Sequence, residues 1–383
     1  MISVIKNFPV VIHQLFFLFA QLLILKVYGI GYSGSLAYVG TVSTFLAVII
    51  NLRSDIEIMI RSSQALYESL LDATGIILFM TLFILMLNII FGSPISIYII
   101  YSGIAIAMHE LLVSILFVQK RIFTYSIFRT IPAIALIFFA SIGYSAEIIW
   151  PAAFFVSVLF LLIYLKDLFK KAFRTITLNR IKKIKLIERV NASITATTFS
   201  FFAAFFVIII NFYFGDEYVG IWSNTMRIFN SLILFFLAAC IPFMLNTIRD
   251  QDLDSQKIKA FFNLWILFIP LILFSYIVVS YWGVFIFSLM QSFDFEISNA
   301  QLRNIFLIGV AISFIGSSQG LYQALNQSIA LLVMIFATVV IGLIFVYELT
   351  FSFAELIEIF LFLLFALVMM ILVHLSFYLI YKK

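Results

Sequence analysis

Long runs of apolar residues, separated only by short polar breaks, recur along this 383-residue chain. Two of them, residues 76–90 and 329–347, show no alternation of apolar and polar positions, so they are not the strands of a membrane barrel. Because 64% of the residues are apolar and only 11% are charged, a soluble protein of this composition could not cover its own surface. The sequence therefore predicts an all-α polytopic membrane protein, and it excludes a soluble enzyme, a nucleic-acid-binding module and a disordered chain.

The polar breaks divide the chain into twelve segments that can each cross a bilayer as a helix. Two pieces are ambiguous, because 125–143 is short and 283–290 is either a loop or an extension of the ninth helix. The twelve predicted spans are 8–26, 34–52, 75–92, 95–119, 125–143, 146–165, 194–214, 219–247, 261–282, 302–322, 328–347 and 354–380.

The basic residues alternate between the two sides of the predicted spans. With the N-terminus inside, all but three of the 23 Lys and Arg residues fall in cytoplasmic segments, and this count assigns Arg129 to an inner segment. The exceptions are Lys26, Arg227 and Arg303. Positive charge marks the cytoplasmic side of membrane proteins, so twelve spans with both termini in the cytoplasm are predicted.

The most hydrophilic stretch, residues 166–189, carries nine basic residues and separates six spans from six spans. The predicted organisation is an N-terminal six-helix lobe (1–165), a basic cytoplasmic linker (166–190) and a C-terminal six-helix lobe (191–383). Because six is even, both halves begin on the same side, which favours a repeat about an axis normal to the membrane. No internal sequence identity is obvious, so the repeat rests on topology alone.

The predicted topology can be checked with reporter fusions. Alkaline phosphatase, which is active only outside the cytoplasm, is expected to be inactive when fused after Lys183 and active when fused after Asp294, because the first position lies in the basic linker. High activity at Lys183 would show that the number of spans is wrong.

The eighth span carries a polar stripe on one face. Ser223, Asn224, Arg227, Asn230 and Ser231 follow helical spacing. Arginine is always charged and presents a fork of donors that suits phosphate, so the stripe predicts a hydrated cavity for an anionic group. The alternative is an arginine that extends its side chain to the membrane interface.

Other polar residues lie inside the predicted spans. Glu110, near the middle of the fourth span, is a candidate for proton or cation coupling, or else a protonated acid bonded to a neighbouring helix. Gln21 and Lys26 in the first span, and Gln319 and Gln323 at the end of the tenth, are candidates for substrate binding. Interhelical packing and interfacial anchoring are the alternatives for these residues.

The residues that carry enzyme and metal chemistry are scarce. Cys240 is the single cysteine and the three histidines are far apart in sequence, so no metal site is predicted. No nucleophile elbow or phosphate-binding glycine loop occurs. The sequence therefore predicts no catalytic site and no cofactor, apart from a coupling proton or sodium ion.

Three short motifs occur in order along both halves of the chain. The first motif is a glycine after the first span, followed by a second glycine and an alanine. The second is a Leu-Arg pair with nearby acids at the end of the second span. The third is Val-Gly-Ile-Trp-Ser at the start of the eighth span. The motif residues are Gly29, Gly34 and Ala37; 52–58; and 219–223, followed by Arg227 and Pro242. In these motifs the chain resembles the bacterial oligosaccharide (O-antigen) flippases of the multidrug/oligosaccharidyl-lipid/polysaccharide exporter superfamily. It departs from them at Ser54, in place of an aromatic residue, and at Glu57, in place of alanine.

The resemblance implies a function and a location. Such flippases move a polyprenyl-diphosphate-linked oligosaccharide, an O-antigen or capsule repeat unit, from the cytoplasmic to the periplasmic leaflet of the bacterial inner membrane by alternating access. It gives Arg53 a place at the cytoplasmic mouth of the cavity and adds the glycan polymerase machinery as an expected partner, with no nucleic acid. An interfacial arginine paired with a nearby acid is the alternative for Arg53.

Three other classes of membrane protein remain as alternatives. An O-antigen polymerase would need a sizeable periplasmic loop with arginines, whereas the predicted outer loops are short and acidic. A multidrug antiporter of the same superfamily would need acids that bind cations, and Glu110 is the clear acid in the middle of a span. A channel would need a pore motif, and none is seen.

Overall fold

In the computed structural model, residues 8–52, 54, 66–92, 95–119, 121–174, 186–230, 253–290, 297–325, 327–348 and 352–381 are described. These residues form helices and connecting turns, without a strand among them. The helices are α1 (Phe8–Asn51), α2 (Leu66–Ile90), α3 (Ile97–Val118), α4 (Ile122–Ser141), α5 (Ala146–Tyr164), α6 (Lys166–Arg174), α7 (Leu186–Phe214), α8 (216–230), α9 (Asp254–Met290), α10 (Asn299–Ala324), α11 (Ser328–Glu348) and α12 (Phe353–Tyr381).

Helix α1 contains two predicted spans and is broken at Gly29, whose φ of 83° interrupts the helical backbone. The Phe17 ring stacks on Phe154 at 6.4 Å, while Gly40 lies against Trp150, one turn away on the same helix α5. In a straight helix, positions 17 and 40 would be roughly 35 Å apart. The chain therefore folds back at Gly29, and α1 supplies the first two spans.

The described helices follow the predicted spans closely, and the all-α polytopic fold class is confirmed. Nine of them within the described part of the chain are long and apolar enough to cross a membrane. The short segment 125–143 corresponds to the full-length helix α4, and 283–290 is a continuous extension of α9. Several helices begin earlier than predicted, as α9 does at Asp254, where Lys257 pairs with Asp254 at 3.1 Å. The predicted linker contains the short helix α6.

The chain divides into two compact units. The N-terminal unit comprises Ile12–Ile24 and Ser35–Ala204, and the C-terminal unit comprises Met1–Val11, Leu25–Gly34 and Phe205–Lys383. Helix α7 contributes to both units, since the division falls within it. The lobe boundaries at 165 and 191 stay a prediction.

The core of the N-terminal unit is helix α3, which packs against α4 and α5. Its residues 111–116 are all fully buried, and Ser114 is the one polar member of this run. Gly40 lets α1 approach the Trp150 ring, since an added Cβ would lie 2.6 Å from it. This close packing encloses the buried polar groups described below.

The core of the C-terminal unit is aromatic. Phe206 of α7 contacts Phe360 of α12 with ring centroids 4.2 Å apart, and Trp222 of α8 meets the same ring at 6.0 Å. Trp265 of α9 packs edge-to-face against Phe314 of α10 and donates a hydrogen bond to Ser317 at 3.0 Å. These rings fix the positions of α8 and α10, which carry most of the predicted site residues.

A short sequence repeat, which is not obvious from the sequence alone, marks the start of the second and eighth spans. Segments 28–34 and 214–220 share the pattern aromatic-Gly-x-x-Tyr-x-Gly. The first glycine has φ of 83° in one copy and 82° in the other, a conformation that glycine adopts readily and other residues do not. In both copies the leading aromatic ring contacts the tyrosine, at 5.2 and 5.4 Å. Each half of the chain thus turns from an odd to an even span in the same way.

The second glycines of the two copies meet each other, which explains why both are glycine. A Cβ on Gly34 would overlap the carbonyl oxygen of Asp216 and lie 2.7 Å from the Gly220 nitrogen, and one on Gly220 would overlap the carbonyl of Ile30. The backbones of α1 and α8 are therefore in direct contact. We refer to this contact of residues 30–34 with 216–224 as the glycine crossing.

Candidate substrate and coupling sites

Arg227 lies deep in helix α8 and is half-buried. It follows the first residue of the helix by eleven positions, which places it roughly 16 Å along the axis, about halfway through a hydrocarbon core of about 30 Å. No hydrogen bond or ion pair joins it to another residue within the described part of the chain. An arginine at this depth is costly unless an anion offsets its charge.

Two asparagines flank Arg227 on the same face of α8. The Asn224 amide nitrogen, fully buried, donates to Ser33 at 3.0 Å and to the Gly220 carbonyl at 2.7 Å, so Asn224 secures the glycine crossing. Asn230 packs so tightly against Gly309 of α10 that an added Cβ there would overlap its amide. The buried Oδ1 atom of Asn230 accepts no hydrogen bond from the described residues. Asn224 thus has a packing role here, whereas Asn230 retains an acceptor.

The remaining predicted binding residues are distributed between the two units. Gln21 is buried in the N-terminal unit, whereas Lys26 is exposed in the C-terminal unit. Gln319 is half-buried in α10. Gln323 also lies on α10, but its side chain is outside the described part, and Arg53 lies outside the described residues altogether. The substrate-binding roles of all five stay predictions.

Glu110 is paired with a cation inside the N-terminal unit. Its carboxylate contacts the Arg129 guanidinium, and the His109 Nδ1 atom lies 3.7 Å from its other oxygen. Arg129 also stacks over the Tyr125 ring at 5.2 Å. The pair lines a cavity of about 310 Å³, with lining residues Thr44, Ala47, Val48, Asn51, Ile106, Ala107, Glu110, Arg129 and Phe154.

The assignment of Arg129 to a cytoplasmic segment is wrong. The residue lies seven positions inside α4, where the partner acid on α3 offsets the cost of placing a cation among apolar helices. The sequence contained a signal for this, because Arg129 falls within the predicted span 125–143 and the acid on the neighbouring span needed a counter-ion. Glu110 is accordingly an ion-paired residue, and its coupling role stays a prediction.

A second cavity, of about 600 Å³, lies between α9, α10 and α12 of the C-terminal unit. Ten of its lining residues are apolar, among them Trp265, Phe314 and Phe362, and Glu358 is the single charged one. Such a lining suits a hydrocarbon chain or an apolar cation, but it has no cation to bind phosphate. Within the described residues, no group of three His, Cys, Asp or Glu side chains could hold a metal ion.

No protein-family profile and no curated protein sequence matches the chain. Solved structures do match it over nearly its whole length. A crystal structure of a MATE protein in complex with MaL6 is 13% identical, with a TM-score of 0.60 and coverage of 98% of this chain and 96% of that one. The chain has the MATE transporter fold.

Two further structures of this fold agree. The inward-facing conformation of a multidrug resistance MATE family transporter of the MOP superfamily is 14% identical, with a TM-score of 0.59 and coverage of 98% and 94%. The MATE multidrug transporter DinF-BH, solved in a complex, is also 14% identical, with a TM-score of 0.56 and coverage of 97% and 92%. At these identities the likeness establishes the fold alone, and the substrate has to be argued from the residues.

Proposed function

We propose that this protein is a transporter that flips a polyprenyl-diphosphate-linked oligosaccharide from the cytoplasmic to the periplasmic leaflet of a bacterial inner membrane. The observation that carries the proposal is the free cation Arg227, halfway along α8 and without an acid partner among the described residues. A diphosphate is the part of such a lipid that cannot cross hydrocarbon unaided. A guanidinium fork matches its oxygens.

The charges in the two units favour an anionic over a cationic cargo. Glu110 is neutralised by Arg129, whereas Arg227 has no counter-charge in the described residues. A cationic drug entering near Arg227 would be repelled, while a diphosphate would offset the cost of the buried charge. The polyprenyl tail needs no polar site, because it can remain in the bilayer throughout.

The glycine crossing gives the proposed transport a conformational element. It joins the starts of the second and eighth spans, which the predicted topology places at the outer surface. A cargo that leaves outward has to separate these segments, and the crossing is held by packing and by the hydrogen bonds between Ser33 and Asn224. Both segments belong to the C-terminal unit, so the proposed opening would take place within that unit.

The proposed function is tested directly in liposomes. Purified protein is reconstituted with a fluorescent polyprenyl-diphosphate glycan, and a glycan-digesting enzyme is added outside. Protein-dependent loss of the protected inner pool is expected, and a pool that stays protected in intact proteoliposomes would contradict the proposal. Joining of glycan units into longer chains by the same protein would favour the polymerase alternative, for which the transporter fold gives no support.

A multidrug antiporter is the second candidate, favoured by the apolar cavity with its single acid Glu358 and by the structural match to multidrug transporters. Efflux of a lipophilic cationic dye from cells distinguishes the two. The antiporter predicts dye export that is lost in Glu358→Gln and kept in Arg227→Gln. The flippase predicts that glycan export is lost in Arg227→Gln and kept in Glu358→Gln.

A further inference from the structure

We propose that helix α6 is a membrane-surface helix that binds anionic phospholipids of the cytoplasmic leaflet. It opens the predicted basic linker (166–190), directly after α5, the last span of the first half. The ligand is the layer of anionic headgroups together with the first carbons of the acyl chains, and it is not the transported cargo. The inference therefore stands independently of the proposed function.

The sequence of α6 separates apolar from charged residues completely. Its nine residues read Lys-Asp-Leu-Phe-Lys-Lys-Ala-Phe-Arg, and an advance of about 100° per residue collects the four apolar positions in one arc of about 140°. The four basic residues and one acid occupy the opposite arc and give this short helix a net charge of +3. A basic face opposite an apolar face is the pattern of helices that lie in the membrane interface.

The exposure of the described side chains follows this division. Lys166, Asp167 and Lys170 are exposed, whereas Leu168 and Phe169 are half-buried. Positions 171–174 are placed on the two faces by helical register alone. A lysine on the exposed face can lay its apolar stem along the surface and reach a phosphate with its ammonium group. The charged face of α6 is thus presented to its surroundings.

The neighbours of α6 place it at the level of the lipid headgroups. It begins one residue after α5 ends at Tyr164, whose exposed ring carries a hydroxyl that accepts a hydrogen bond from Arg121 at 2.8 Å. A tyrosine at the end of a span is typical of the membrane–water interface, and the predicted topology makes this the cytoplasmic one. Whereas α5 packs against α3 and α4, α6 packs against α2. The chain therefore changes course at Leu165, and α6 stays beside a spanning helix.

The two faces of α6 together identify the partner. A leaflet with anionic lipids attracts basic segments next to a span, and the attraction corresponds to about a fivefold gain in affinity for each lysine or arginine. A soluble polyanion would match the basic face too, but it would offer no hydrocarbon to Leu168 and Phe169. A lipid surface suits both faces at once, with phosphates against the lysines and acyl-chain carbons against the apolar side chains.

The experiment uses the full-length protein in phosphatidylcholine nanodiscs that contain a trace of a photoreactive phospholipid. This lipid carries a diazirine near its glycerol and is either phosphatidylglycerol or phosphatidylcholine, and mass spectrometry locates the cross-links. We expect phosphatidylglycerol to label α6 at least tenfold more than phosphatidylcholine does. Lys166→Gln/Lys170→Gln should lower this preference at least fivefold. The matched control, Lys382→Gln/Lys383→Gln, removes the same charge from another predicted cytoplasmic segment and should leave the preference unchanged.

Equal labelling of α6 by the two lipids would overturn the inference. An equal drop in both double variants would also overturn it, because a diffuse attraction of the whole cytoplasmic surface would then explain the preference. Glycerophosphoglycerol, the headgroup without acyl chains, is added as a soluble competitor. No competition is expected, and full competition would show that α6 binds a soluble phosphate and not the lipid surface. If the Lys166/Lys170 variant does not fold, the comparison of the two lipids on the unaltered protein remains decisive.

Discussion

Replacing Gly34 with alanine is expected to reduce glycan export at least tenfold, the largest loss we expect from adding a single methyl group. The added Cβ would overlap the carbonyl oxygen of Asp216 and press on the nitrogen of Gly220, and both are backbone atoms that cannot rotate away. Overpacking typically costs about 1–3 kcal/mol, and the upper end applies where backbone is the obstacle. Because 1.4 kcal/mol corresponds to a factor of ten, the closed crossing would be depopulated. Surface glycan in a deletion strain and cross-linking between α1 and α8 measure the effect.

Gly75 provides the matched control for this prediction. It lies in helix α2, and a Cβ added there meets nothing within 4 Å. Gly75→Ala should therefore leave export intact and stabilise the helix slightly, by about 0.5–1 kcal/mol, since alanine is the better helix former. Equal export by the Gly34 and Gly75 variants would show that the crossing does not matter for transport.

The spans could be predicted from the sequence because hydrocarbon imposes one strong requirement, a long apolar helix, on each of them. Most described helix ends lie within a few residues of the polar breaks, as for α11 and α12. The predicted boundary between the first two spans coincides with the break in α1. The sharpness of that break depends on Gly29, which has a positive φ. Helix extensions such as the start of α9 at Asp254 were missed, since a polar helix end leaves no trace in hydropathy.

The pairing of side chains could not be read from the chain in the same way. Glu110 and Arg129 were each visible, but their contact depends on how α3 packs against α4. The repeat at 28–34 and 214–220 shares only four pattern positions, which become significant once both copies show the same turn and the same ring contact. Asn224 looked like a cavity residue, whereas its amide connects α8 to Ser33 of α1. A polar stripe indicates which face of a helix makes polar contacts. Whether those contacts are to a ligand or to another helix depends on how the helices pack.

Arg227→Gln is expected to abolish glycan export and at the same time to raise the thermal stability of the purified protein. The charge lies deep in α8 without a described partner, so neutralising it removes an unfavourable term that translocon scales put at about 2.5–3.5 kcal/mol for a central arginine. The loss of export follows because charged hydrogen bonds to the cargo contribute about 1.5–3 kcal/mol each. Arg227→Lys should keep part of the export, since lysine keeps the charge and loses the fork. Export in a deletion strain and unfolding temperature in detergent are the two measurements.

If removing an arginine lowers export but raises stability, the arginine binds the ligand, whereas an arginine that contributes to packing lowers stability when it is removed. Arg129 provides the comparison within the same protein. Arg129→Gln leaves Glu110 without its counter-ion, so it should lower the unfolding temperature. Arg121→Gln, which removes an exposed arginine bonded to Tyr164, should affect stability and export little. If Arg227→Gln destabilises the protein as Arg129→Gln does, Arg227 is bound by the protein itself. Its charge would then not be available to the diphosphate, and the main support for an anionic cargo would be lost.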